Sequence, residues 1–288
     1  MSFEKVNPSH PDKVADRIAG AIVDLAYTKQ ENPKIAVEVL IGHHICDVII
    51  ETSANIVSAE ACHIVDRIAG EGIYTRATIV PQDPELAKNQ AKEIRCGDNG
   101  IFKGMPTNKE ESMLTGLVRD LYKEMPTDGK FIYDQKTDVL IACQSNATNR
   151  QILEEISEAT RGWDEAIDRL IVNPLGEWTG GTNVDTGATN RKLGSDMGRA
   201  ITGGGLHGKD LSKADVSVNI ACYLLAQQYR TTVEAFCAIG DEEITFVMHR
   251  AGNETTEKTI PYAEVVEMAR KYINELGGFE KLAEWGLI

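Results

Sequence analysis

The pattern that most constrains this chain is a strand–strand–helix alternation that recurs along it. Residues 34–41 and 44–50 are rich in Val and Ile, and Gly42-His43 between them reads as a short hairpin connection. Residues 56–69 follow as a helix with Ile56, Ala59, Ile64, Val65, Ile68 and Ala69 along one side, and 75–80 as a strand. The order returns with a helix at 109–123, strands at 130–133 and 138–143 about a turn at 134–137, a helix at 148–161 and a strand at 167–172. It returns again with a helix at 215–229, strands at 232–239 and 243–249, and a helix at 263–276. A first helix over 11–27 precedes all of these, with Pro11 suited to a first-turn position. A sheet face and a helix stripe bury one another, so the expected class is α+β, built from three related sheet-and-helix units in a pseudo-threefold arrangement. Their approximate cores are 13–100, 109–175 and 215–288, intertwined in one compact chain. The repeat rests on the order of elements, not on residue identity.

Composition narrows the partners. With 42% hydrophobic and 26% charged residues the chain is globular in type. Its net charge of −14 opposes binding to nucleic acid and to anionic membranes. No apolar run approaches the ~18 residues that a membrane helix needs, and residues 1–13 are too short and polar for a secretory leader. The six cysteines form no C-x-x-C pair and sit mostly in apolar runs, as expected for reduced thiols in a cytoplasmic protein.

In so acidic a chain, any concentration of cations is informative. Residues 173–213 are glycine-rich, poor in large apolar residues, and too long for an ordinary connection. Within them Arg191-Lys192 and Lys209…Lys213 flank Gly203-Gly204-Gly205. Glycines let the backbone approach an anion closely, and Lys and Arg neutralise it. Two common phosphate motifs fail here. Gly203, Gly205 and Gly208 satisfy G-x-G-x-x-G, but no strand precedes them. Gly203…Gly208-Lys209 matches most of a P-loop, but Asp210 stands where Ser or Thr would bind magnesium. Ser9-His10-Pro11-Asp12-Lys13 opens the first helix, whose N-terminus favours anions.

Taken in order, these segments resemble the S-adenosylmethionine synthetases (methionine adenosyltransferases). Ser9-His10-Pro11-Asp12-Lys13 is similar to G-H-P-D-K, Gly97-Asp98-Asn99-Gly100 to G-D-Q-G, and Asn173-Pro174-Leu175-Gly176 to N-P-T-G. Gly180-Gly181, Asp185 and Thr189-Asn190-Arg191-Lys192 resemble G-G-P-x-x-D…T-G-R-K. Residues 203–215 resemble G-G-G-A-F-S-G-K-D-P-S-K-V-D, and Ala238-Ile239-Gly240 matches A-I-G. The ordered set runs from Glu4 to about Gly240.

The resemblance implies that the chain makes S-adenosylmethionine from ATP and L-methionine by displacement at the ribose C5′, and hydrolyses the released triphosphate to pyrophosphate and phosphate. In that reading His10 bonds the leaving oxygen, and Arg191, Lys192, Lys209 and Lys13 grip phosphates. Asp128 and Lys130 line the adenosine side, where Trp178 stacks on adenine. Asp185 belongs to both the ATP and methionine sites, and Glu51, Gln90 and Lys213 to the methionine site. Asp12 and Asp215 hold two Mg²⁺ and Glu38 one K⁺; Glu4 lies on an N-terminal strand near the site. The implied assembly is a cytoplasmic homodimer with active sites at the subunit interface, or a tetramer. Two other readings use the same residues: a stand-alone triphosphatase and a non-catalytic nucleotide-binding regulator.

The chain departs from the family in three places. The step from Gln90 to Asp98 is short where the family has a long gate loop, so closure is expected to be less complete. The segment 203–209 is one residue short. Residues 193–202 read Gly-Ser-Asp-Met-Gly-Arg where the family has D-T-Y-G-G.

Overall fold

Among the described residues the strands form three four-stranded sheets, and each is completed by a strand borrowed from elsewhere in the sequence. The computed structural model describes residues 2–85, 94–161, 167, 169–249 and 254–288. The first sheet contains β2 (Ile35–Gly42), β3 (Ile45–Thr52) and β4 (Tyr74–Pro81), with β9 (Thr186–Ala188) added against β2. The second contains β6 (Gly129–Asp134), β7 (Val139–Gln144) and β8 (Arg169–Val172), with β1 (Ser2–Val6) against β6. The third contains β10 (Val233–Cys237), β11 (Glu243–His249) and β12 (Thr255–Pro261), with β5 (Gly100–Gly104) against β10. The borrowed strand is antiparallel and occupies the same edge in all three sheets. The expected α+β class with three sheet-and-helix units is therefore what the chain adopts.

Among the described residues, the six helices expected at 11–27, 56–69, 109–123, 148–161, 215–229 and 263–276 are present, and two short ones, at 193–197 and 279–285, were not expected. They are α1 (Pro11–Lys29), α2 (Ser58–Ala69), α3 (Lys109–Glu124), α4 (Asn149–Ala159), α5 (Leu193–Met197), α6 (Ala214–Tyr229), α7 (Tyr262–Leu276) and α8 (Phe279–Trp285). Local chemistry explains their starts. Asn108 with Glu111, and Thr148 with Gln151, form reciprocal capping boxes that satisfy the first free N–H groups of α3 and α4. The β2–β3 hairpin turns on His43 and His44, both with positive φ, the geometry of a twisted two-residue connection.

The third unit differs from the other two. β3–β4 and β7–β8 are parallel pairs, and parallel neighbours need a crossover, supplied by α2 and α4. β11 and β12 are antiparallel and need no crossover. The core is divided unequally as well. Side chains of α1, β2, β3, α6, α7 and α8 share one continuous cluster, with Ile18, Ile22, Ile50, Val218, Phe246 and Val265 buried in it. The second unit has a separate cluster of Phe3, Leu117, Val118, Phe131, Ile152 and their neighbours. α6 is buried on nearly every side, so it acts as the central helix of the larger core.

This packing brings β9 against the first turn of α1. A Cβ on Gly187 would lie 2.0 Å from the Pro11 carbonyl oxygen and 2.5 Å from the Asp12 nitrogen, so only glycine fits there. Gly187→Ala is expected to cost about 1–3 kcal/mol as an overpacked contact, read as a lower urea midpoint. An unchanged midpoint would contradict this close approach.

Candidate active site

The first turn of α1 presents two of the expected groups. His10 is the N-cap, and its Nδ1 accepts the Asp12 N–H at 3.2 Å. Burial, with Lys192 and Lys130 nearby, lowers the His10 pKa to about 4 against the pull of Asp12, so the ring is neutral near pH 7. A neutral imidazole that accepts at Nδ1 carries its hydrogen on Nε2, and that N–H is left to donate. Asp12 is buried, and its Oδ1 accepts the Ala188 N–H at 2.9 Å. Lys192 Nζ lies 3.1 Å from Asp12 Oδ2 and Arg191 Nε 3.6 Å from Oδ1.

A second group forms where the glycine segment meets α6. Lys209 Nζ donates to Asp215 Oδ2. A Cβ on Gly204 would come within 2.4 Å of the Asp215 carboxylate, which explains a glycine there. Lys213 Nζ lies 3.7 Å from Asp98 Oδ1. Asp98 Oδ2 is buried and has no hydrogen-bond partner among the described residues, and burial raises the pKa of its carboxyl. Asp98 belongs to the Gly97-Asp98-Asn99-Gly100 motif, which marked the segment without assigning this side chain a role.

A third group surrounds Asp128. Its Oδ2 accepts the Gly181 N–H at 3.0 Å. Burial, helped by the charges of Asp185 and Asp12, raises its pKa to about 6. A Cβ on Gly180 would meet the Trp178 ring at 2.7 Å and the Asp128 side chain at 2.8 Å, so this glycine lets the two pack together. The Trp178 indole N–H donates to Asn173 Oδ1 at 3.1 Å, and the residue is 37% exposed. Lys130 pairs with Glu4 at 2.6 Å across the β1–β6 edge. Asp185 is exposed, and its Oδ1 accepts the Thr186 N–H at 2.7 Å. Glu38 accepts the Thr189 hydroxyl. Because Glu38 pairs with Ile49 and Glu51 with Ala36, both carboxylates lie on the same face of the first sheet. Gln90 and residues 91–93 of the short step that follows it lie outside the described residues.

Lys13 requires a correction. Its ammonium group is fully buried, 2.6 Å from Asp196 Oδ1 and 3.2 Å from Asp16 Oδ2, with His207 Nε2 at 3.4 Å. An ammonium bonded on these sides inside the protein is not free to grip a phosphate. Asp16, Asp196 and His207 lie close enough together to suggest a metal site. The Lys13 ammonium already supplies the cation they surround.

The class these features define is an α+β protein in which cations are paired with carboxylates at the first turn of α1 and where the glycine segment meets α6. Residues 1–82 match the model of the S-adenosylmethionine synthetase N-terminal domain. An S-adenosylmethionine synthase from Hyphomonas neptunium is 28% identical over 303 aligned positions, covering 83% of this chain and 77% of the relative. One from Mycoplasma capricolum is 27% identical, covering 79% and 72%. The solved structure of an unusual S-adenosylmethionine synthetase from Campylobacter jejuni superposes with a TM-score of 0.80 at 18% identity, covering 100% of this chain and 94% of that one. The resemblance read from the sequence is borne out: the chain is similar to S-adenosylmethionine synthetases over most of its length. The enzyme class these relatives support is methionine adenosyltransferase.

Two outcomes follow from this geometry. Lys13→Met leaves two carboxylates buried without their cation and is expected to cost about 3–5 kcal/mol, measured by urea unfolding; a loss below about 1 kcal/mol would contradict the buried pairing. Asp128 binds its proton more tightly folded, near pH 6, than unfolded, near ~3.9. Its contribution to stability is therefore full below about pH 4 and is lost as pH rises to about 6. Asp128→Asn is expected to flatten that part of the stability–pH curve, and an unaltered slope would show that Asp128 has no raised pKa.

Proposed function

We propose that this chain joins ATP and L-methionine to give S-adenosylmethionine, and that it hydrolyses the triphosphate so released to pyrophosphate and phosphate. The observation that supports it best is the pairing of three lysines with three aspartates along one chain segment: Lys192 with Asp12, Lys209 with Asp215, and Lys213 with Asp98. In an acidic protein, these are cations stored against carboxylates until a polyanion takes them over.

In this reading the methionine sulfur attacks C5′ of the ribose. An S–C5′ bond forms, the C5′–O bond breaks, and its electron pair leaves with the triphosphate. A thioether is a modest nucleophile, so alignment of sulfur, carbon and leaving oxygen supplies much of the rate, on the order of 7–11 kcal/mol. The His10 Nε2–H donates to the departing oxygen, and a neutral donor there needs no change of protonation state near pH 7. Lys192, Arg191 and Lys209 receive the phosphate charge. Asp128, Lys130 and Trp178 take the adenosine. Lys213, Asp98, Asp185, Glu51 and Gln90 serve the methionine end, where the unpartnered Asp98 Oδ2 offers an acceptor to the ammonium group.

Asp12 and Asp215 would hold two Mg²⁺, and Glu38 with the Thr189 hydroxyl a K⁺. The donor set fits hard cations, because the two aspartates are buried carboxylates that already carry positive charge against their oxygens. Bound magnesium would neutralise phosphate oxygens. A homodimer is the assembly this reading favours. Leu40, Ile49, Ile101 and Phe236 are each more than half exposed on the sheets, and such apolar surface marks an interaction face.

The test is to incubate the protein with ATP, methionine and Mg²⁺ and to look for the sulfonium product by mass. Product is expected, and His10→Ala or Lys209→Ala is expected to lower turnover by about two orders of magnitude or more. Phosphate release without methionine and without sulfonium product would mark a triphosphatase instead.

A further inference from the structure

We propose that Asn173 is a positioning residue: by accepting the Trp178 indole N–H it holds that ring in one orientation beside Asp128, and so sets the affinity of the site for the nucleoside part of ATP. The inference rests on the function proposed above and deepens it. It gives a part to the first residue of the Asn173-Pro174-Leu175-Gly176 motif, to which that reading assigns none.

Trp178 and Asp128 are both fixed to one end of the second sheet. β8 stops at Val172, opposite Ala142 of β7, and the Asn173 backbone N–H then donates to the Ala142 carbonyl at 3.0 Å. The Asn173 side chain carries the pairing one step further. Its Oδ1 accepts the Gln144 N–H at 3.0 Å, and its Nδ2 donates to the Gln144 carbonyl at 3.0 Å. The same Oδ1 takes the indole N–H at 3.1 Å as its second bond, which the two lone pairs of an amide oxygen allow. The main chain of Trp178 is held as well, because its carbonyl accepts the Asn146 N–H at 2.9 Å. Gln144 pairs with Gly129, the residue after Asp128, and the Ser145 N–H donates to the Asp128 carbonyl at 2.9 Å. The indole and the carboxylate therefore share one frame, built from a single sheet end and the turn beside it.

Their closeness is set by Gly180. A Cβ there would meet the Trp178 ring at 2.7 Å and the Asp128 side chain at 2.8 Å, so ring and carboxylate flank the same glycine. An aromatic face beside a carboxylate acceptor suits a nucleoside, whose base stacks and whose ribose hydroxyls donate. A partly exposed ring that turned freely would have to be stopped by the ligand, at a cost in side-chain entropy. The bond to Asn173 removes that cost before the ligand arrives. Asn173 is itself buried, with a left-handed backbone of φ 35°, a conformation in which asparagine is enriched. A phenyl ring has no N–H and could not use this acceptor, so the pair works only as tryptophan with asparagine.

The experiment compares the wild type with Trp178→Phe, which keeps a ring and loses the donor, with Asn173→Ala, which loses the acceptor, and with the double variant. Calorimetry with ATP and Mg²⁺ is expected to show about fivefold weaker binding in each single variant, and the KM for ATP to rise alike. Inorganic tripolyphosphate, which lacks the nucleoside, is expected to bind within twofold of wild type, and the KM for methionine to stay within twofold. The double variant is expected to be no weaker than the weaker single variant, because both changes remove the same bond. In spectra of isotope-labelled tryptophan, the Trp178 indole N–H is identified by its loss in Trp178→Phe. It is expected to exchange with water at least about tenfold faster in Asn173→Ala. The urea midpoint reports folding separately, and if Asn173→Ala does not fold, Trp178→Phe decides. ATP affinity within twofold of wild type in Trp178→Phe overturns the inference, and so do losses that add in the double variant or an equal loss for tripolyphosphate. If the wild type binds ATP but forms no sulfonium product, the proposed function fails, and the ATP titrations still decide the role of Asn173.

Discussion

The buried ammonium group of Lys13 holds this architecture in register. Lys13 Nζ has no access to water and sits between Asp16 on its own helix and Asp196 on α5, beside the His207 ring. A charge in such a place must be paired, because an unpaired one costs several kcal/mol. The pairing therefore fixes how α1, α5 and the glycine segment meet. Other bonds build outward from it. Val6 N–H and Lys5 Nζ reach the hydroxyl and carbonyl of Ser195, next to Asp196, which ties β1 and the second sheet to the same point. Asp16 and Asn190 tie the turn before Arg191, and β9 then seats on the first sheet.

Above this floor the charges are arranged differently. Lys13 is paired beyond reach, but Lys192, Lys209 and Lys213 are paired at part-exposed positions, each against one aspartate. Exchange of partners is inexpensive there: a phosphate oxygen can replace a carboxylate oxygen on the lysine, and a metal ion can replace the lysine on the carboxylate. The same stretch of sequence thus supplies both a permanent ion cluster that positions and a replaceable set that binds. In a chain of net charge −14, concentrating the replaceable cations in residues 192–213 is what gives a polyanion somewhere to go.

Much of this was legible in the sequence, and the omissions have physical reasons. The helices with one apolar face, α1, α2, α3 and α7, and the Val- and Ile-rich strands β2, β3 and β7 carry their periodicity in their own residues. β5 and β9 do not. Gly-Ile-Phe-Lys-Gly and Thr-Gly-Ala become strands only because a distant edge offers them a partner, and no local pattern encodes that. β12 is polar on most of its length, so it too showed no alternation. In the site, the motifs identified which residues collect but not which way each one points. Lys13 looks like any other lysine of a phosphate motif. Its spacing of three from Asp16 was the available sign that its charge was already taken. His207 and Asn190 lay inside quoted motifs with no role assigned, and their meaning came from the contacts they make.

The most direct measurement of the central claim is a crystal structure with a non-hydrolysable ATP analogue, methionine and Mg²⁺. The account predicts triphosphate oxygens within hydrogen-bond distance, about 3 Å, of His10, Lys192 and Lys209, with metal on Asp12 and Asp215 and Lys13 still held by Asp16 and Asp196. A nucleotide bound elsewhere, with Lys192 and Lys209 still on their aspartates, would contradict it.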